Sequence, residues 1–141
     1  MIKPVSNLEI ALVGVRNLNP DFLPLVVKNT IDVWFLSDAI DPAAMLRRVL
    51  VDINTSSLHL LGLFDNGSFR FDTGIIKAEH FPCFEQDQMY RTITLWGCND
   101  SPEKIPDDSL PHAILKQTRM SVFVSRISSK INTHERVDAE N

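Results

Sequence analysis

An antiparallel β-sandwich carrying one short helix is the fold that this sequence of 141 residues predicts, with an α+β domain as the competing arrangement. Three observations lead there. Short apolar runs alternate with polar residues at the period of a half-buried strand, an Asn-Gly pair separates two of those runs, and a single stretch carries helical spacing.

Taken in order, Leu8, Ile10 and Leu12 alternate with Glu9 and Ala11 until Gly14 breaks the pattern before Val15, which predicts a first strand. After a corner running from Asn17 to Leu25, Ile31, Val33 and Phe35 alternate with Asp32 and Trp34 as a second strand. Asp41 before Pro42 offers an N-cap followed by proline at the first helical position, and Leu46, Val49, Leu50 and Ile53 continue at helical spacing, so a helix is predicted over 42–53. Leu58 to Phe64 and Phe69 with Phe71 form two strands around Asp65-Asn66-Gly67-Ser68, a hairpin turn because Asn-Gly supplies the positive φ angles a tight turn requires. A further pair of strands is predicted at 88–96 and 118–127, joined by a surface loop containing Pro102, Pro106 and Pro111. The domain therefore spans 1–127, and 128–141 reads as a polar tail, mobile or held by a partner.

The opening segment Leu8-Glu9-Ile10-Ala11-Leu12-Val13-Gly14-Val15-Arg16-Asn17-Leu18 resembles the first strand of a C-two domain, the conserved region two of protein kinase C, in its ferlin-like variant. Phe81-Pro82-Cys83-Phe84, the strand through Leu95, the proline-rich loop and Met120 to Val124 are similar to that family's later strand, loop and strand. The match is partial, and residues 37–78 take no part in it. The resemblance implies a sandwich that docks onto lipid or protein. Calcium-binding members converge several aspartates from two loops, since a hard cation takes six to eight oxygens. Here the first loop offers Asp21 with Asn17 or Asn19, and the second offers Arg126, Ile127, Ser128 and Ser129, so calcium independence is expected.

Composition narrows the function further. At 44% hydrophobic the chain can bury a core without metal or disulfide, and Cys83 and Cys98 are expected as free thiols of an intracellular, cytoplasmic protein. Pro4 and Glu9 interrupt the place where a secretory apolar core would sit, and no apolar run is long enough to span a membrane. A net charge of -4, with basic and acidic residues interspersed, builds no field that would gather nucleic acid or anionic lipid.

Chemistry is sparse. His59, His80, His112 and His134 are scattered, and only His80 with Cys83 approaches metal-ligand spacing, so no metal or other cofactor is expected. Asp100, Asp107 and Asp108 lie in the proline loop, where neighbouring carboxylates point apart into solvent. Trp34 and Phe123 fall opposite the main apolar positions of their strands, and with Trp96, the loop residues Phe22 and Leu23, and the basic Arg119 and Arg126, they make the candidate interaction surface. Lys116 and Lys130 extend the basic string. The expected function is a non-catalytic protein-interaction or scaffold module, one component of a larger assembly. The alternatives are a peripheral phospholipid binder and a small enzyme using Cys83 or Cys98 with His80 or His112.

Overall fold

The computed structural model describes residues 8–16, 31–36, 41–65, 68–98, 109–127 and 132–137. In chain order these form β1 (Glu9–Val13), β2 (Ile31–Phe35), α1 (Pro42–Arg47) continued by a π-helical turn (Arg48–Asp52), β3 (Ser57–Asp65), β4 (Ser68–Phe71) and β5 (Gly74–Ile76). A 3-10 turn (Ala78–His80), β6 (Gln88–Gly97), α2 (Ser109–Thr118), β7 (Met120–Ile127) and β8 (Asn132–Arg136) complete the set.

The expected sandwich is replaced by an α/β fold. One sheet runs β2-β1-β3-β6-β7-β8, and every neighbouring pair on that path is parallel except β7 with β8. The antiparallel sandwich implied by the C-two resemblance goes with it. The reason lies in the connections: an antiparallel pair closes with a two-residue turn, whereas a parallel pair needs a crossover of a dozen residues or more. The stretches 14–30, 36–56 and 98–119, which join successive parallel strands, all have that length. The successive strands β3, β4 and β5, and β7 with β8, have only two to four residues between them, and they pair antiparallel, with Asp65 opposite Ser68 as the Asn-Gly signal predicts.

Two further corrections concern the second half. Part of the proline loop is helix: Pro111 sits in the first turn of α2, where its missing N–H would have had no intrahelical partner. Residues 132–136 of the supposed tail form β8, hydrogen-bonded along β7 from Phe123 to Ile127. The start of α1 is as the sequence predicts, with Asp41 Oδ1 accepting from the Ala43 amide at 2.9 Å and Pro42 at the first position, a cap worth about 1 kcal/mol.

Alternation sends Ile10 and Leu12, Leu58 and Leu60, Ile93 and Leu95, and Val122 and Val124 to one face. There they pack against Leu46, Val49 and Leu50 of the α1 segment and Ile114 and Leu115 of α2. Each fully buried leucine or isoleucine contributes about 1.5–3 kcal/mol. The opposite face is also closed, with Ala11, Val13, Val15, Leu61 and Cys98 buried in a second cluster. Trp34 belongs to the first face rather than to a free surface: it is level with Leu12 in the β1–β2 register, and the Arg48 guanidinium lies 5.7 Å from its ring centroid.

One polar side chain helps to lock this core. Arg91, 1% exposed, donates from Nε to the Thr55 carbonyl at 2.9 Å and from Nη2 to the Leu50 carbonyl at 2.8 Å. Its Nη1 reaches Gln88 Oε1 at 3.3 Å, and its guanidinium stands 5.4 Å from the Phe84 ring centroid. Desolvation holds its pKa below the ordinary arginine value, only partly offset by Tyr90. The side chain thereby ties the exit of the α1 segment to β6, at the irregularity in the β6–β7 register.

Candidate functional site

Counting only the parallel strands in chain order, the sheet runs 2-1-3-4-5, and the direction of travel reverses between β1 and β3. In open α/β sheets a ligand sits at that reversal, beyond the carboxyl ends of the strands. Among the described residues, the β4 hairpin occupies that place beside β1 and β3. Gly14, just past β1, lies so close to Phe71 of β4 that an added Cβ would come within 2.0 Å of the ring. Gly62 of β3 is similarly crowded by Phe69 and by the Arg70 carbonyl. The Asp72 amide donates to the Gly14 carbonyl at 2.6 Å, and Asp72 Oδ2 accepts from the Arg16 amide at 2.6 Å. Two glycines are needed because aromatic rings of the hairpin lie directly on the backbone.

Cys98 stands at the same edge, immediately after β6, with its amide donating to the Gly62 carbonyl at 2.8 Å. Its thiol donates to the Trp96 carbonyl at 3.6 Å, and burial pushes its pKa up to about 12. That is the wrong direction for a nucleophile, which reacts as thiolate. Cys83 is exposed, and both cysteines are free. The His80 ring, the suggested partner of Cys83, accepts from the Lys77 amide through Nδ1 at 3.2 Å and closes the 3-10 turn.

A polar row that the sequence reading did not single out runs along the opposite face, from Glu9 and Ser57 at the amino ends of β1 and β3 to Trp96 near the carboxyl end of β6. Trp96 Nε1 donates to His59 Nδ1 at 3.0 Å, Ser57 Oγ lies 3.5 Å from His59 Nε2, and Glu9 Oε2 lies 3.6 Å from the same nitrogen. Thr92 Oγ1 donates to Ser57 Oγ at 2.8 Å. Serine, histidine and glutamate together suggest a catalytic relay, but the wiring differs. A relay needs the carboxylate on one ring nitrogen and the nucleophile on the other. An indole N–H only donates, so Nδ1 must accept, which leaves Nε2 carrying the proton of the neutral ring and facing both Ser57 and Glu9. The ring has no lone pair with which to take a serine proton. Alternate polar residues on three successive strands, Ser57 and His59, Thr92 and Thr94, Ser121 and Ser125, were the available signal for this row.

The residues of the expected interaction surface do not form one patch. Trp34 packs on the α1 face, Trp96 belongs to the polar row, and Phe123 is half-buried on β7. Arg126 pairs through its backbone with Gly97 and Thr133, and Arg119 lies at the opposite end of the sheet. Phe22, Leu23, Asp21, Asp100, Asp107, Asp108 and Lys130 fall outside the described residues. At the amino ends of β6 and β7, a groove of about 320 Å³ is lined by Asp87, Met89, Leu115, Lys116 and Arg119.

Comparison with known proteins finds no matching family model, no matching curated protein and no matching solved structure. Among the described residues no helix is long and apolar enough to cross a membrane.

Proposed function

We propose that this domain is a non-catalytic, calcium-independent module that docks onto another protein. The observation that carries this reading is that, among the described residues, the carboxyl edge beside β1 and β3 is filled by the β4 hairpin. Where parallel sheets hold nucleotides and place catalytic side chains, Phe71 lies on Gly14, and the adjacent thiol of Cys98 is buried and kept protonated. The serine-histidine-glutamate row favours the same conclusion, because its proton sits on the wrong nitrogen for general-base chemistry. Two unpaired cysteines fit a reducing compartment and hence work in the cytoplasm, and the reading requires no cofactor.

The test uses the whole protein and its Cys98→Ser variant. Both are incubated with thioester and peptide substrates, and both are melted with and without ATP and flavin mononucleotide. The expectation is no turnover and no thermal shift, while a protein partner recovered by gentle purification stays bound to both forms when calcium is chelated. Turnover that disappears in Cys98→Ser, or release of the partner by the chelator, would overturn the reading.

A further inference from the structure

We propose that the groove at the amino ends of β6 and β7 is the docking point of this module and receives an acidic segment of the partner protein. An aliphatic side chain of that segment lies on Met89 and Leu115, and its carboxylate lies between Lys116 and Arg119. The inference rests on the interaction-module reading and supplies what that reading lacks, a place and a ligand chemistry.

The groove has the size and lining for such a segment. Its volume of about 320 Å³ is at the low end of ligand pockets, enough for one or two side chains. Leu115 is buried and Met89 half-buried, giving an apolar floor, and methionine adapts its shape to different occupants. The rim is cationic. Lys116 and Arg119, three residues apart across the last turn of α2 and the residue after it, are both exposed. Asp87 forms the acidic wall, its Oδ1 accepting from the Met89 amide at 2.8 Å, and its charge offsets one of the two cations. Among the described residues neither cation makes an ion pair with a carboxylate. Two cations against one carboxylate, among the described residues, leave the lining of the groove net positive beside an apolar floor, on a chain of net charge -4.

Arg119 adds an independent observation. A single residue separates α2 from β7, and it takes the left-handed conformation with φ 59°. Its amide donates to the Leu115 carbonyl at 2.8 Å, and its carbonyl accepts from Gln88 at 3.0 Å, so the geometry is fixed from both sides. Glycine or asparagine is the usual occupant of such a helix end, because a Cβ there crowds the next carbonyl. Cations near a helix C-terminus complement its dipole, which accounts for their sign. It does not account for a long side chain where glycine would relieve strain, and binding does. A flat anionic membrane is a poorer match, because the acidic chain as a whole is repelled by it.

The experiment titrates the full-length protein with a capped peptide alternating aspartate and leucine, and separately with one alternating lysine and leucine, following backbone amide NMR shifts. Saturable shifts confined to residues 87–89 and 115–119 are expected with the acidic peptide only. Lys116→Glu and Arg119→Gly should each weaken binding about tenfold, with Tm unchanged or raised in Arg119→Gly. Absence of those shifts, equal response to the lysine peptide, or undiminished binding by Arg119→Gly would overturn the proposal. Binding to phosphatidylserine vesicles without response to the acidic peptide would overturn it in favour of a lipid surface. Cysteine-dependent turnover would sink the module reading without touching these shifts, whereas missing shifts would sink the groove alone.

Discussion

At the carboxyl ends of β1 and β3 the chain closes over its own glycines, whereas at the amino ends of β6 and β7 it leaves a groove between charged side chains. Both ends belong to one parallel sheet. The difference comes from the connections at each end. After β3 the chain turns straight back through an Asn-Gly hairpin, and the aromatic residues alternating along β4, Phe69 and Phe71, are laid on Gly62 and Gly14. Before β7 a helix ends within one residue of the strand, so its last cations remain at the rim while Ile114 and Leu115 are drawn into the core. A parallel sheet can therefore have its usual ligand place filled by its own hairpin at one end and leave a groove open at the other.

The strongest way to break this comparison is Phe71→Ala. If the hairpin is part of the core, the change costs about 3–5 kcal/mol in urea unfolding, as for other buried phenylalanines. A cost below about 1 kcal/mol would make the hairpin a removable cover and reopen the carboxyl edge as a site. Gly14→Ala should be severe in the natural protein and milder in the Phe71→Ala background, with a coupling above about 1 kcal/mol, because the clash is with that ring.

Next in size is Arg91→Met, which keeps much of the volume but strands the carbonyls of Leu50 and Thr55 in the interior. A loss of about 2–3 kcal/mol is expected, with no change at the groove, since the residues that line it are others. Peptide titration of this variant alongside the natural protein separates damage to the fold from damage to the proposed docking point.

A smaller effect sharpens the account of the carboxyl edge. The Cys98 thiol is raised from 9.0 to about 12, so the folded state holds its proton while the unfolded state releases it. Its contribution is complete below the unfolded value and is lost as pH rises, at up to about 1.4 kcal/mol per pH unit above 9. Unfolding free energies from urea titration at pH 9 and pH 10 should differ by about 1 kcal/mol more in the natural protein than in Cys98→Ala. Equal declines in the two proteins would mean that Cys98 is solvated. The smallest expected effect lies at the open end: Arg119→Gly should stabilise the fold by about 0.5–1 kcal/mol by removing a left-handed non-glycine residue.

Local chemistry was legible from the sequence wherever it was complete within a few residues. Ile31–Phe35 is the strand its alternation predicts, Asp41 and Pro42 begin a helix, and Asp65 to Ser68 turn a hairpin. The first strand was read as a half-buried alternation, but the structure buries it continuously from Ile10 to Val13, as a sheet covered on both faces requires. The candidate site was much less legible. Lys116 and Arg119 stood in the basic string and Arg119 in the expected surface, but nothing near them in sequence joined them to Asp87 and Met89. That juxtaposition exists because β6 and β7 run parallel and start at the same end of the sheet.

The sequence by itself determined the strands that carry a clear alternation, where α1 starts and the turn between β3 and β4, because period, capping and turn chemistry act over two to four residues. Only the tertiary structure decided that most strands run parallel, that 132–136 extends the sheet, that Gly14 must stay bare for Phe71, and that Arg91 is a buried tie. Each of those depends on a partner distant along the chain, and an alternating strand has the same period whichever neighbour it pairs with. Pairing is settled by crossover geometry and by the burial of both faces at once, and local period carries neither.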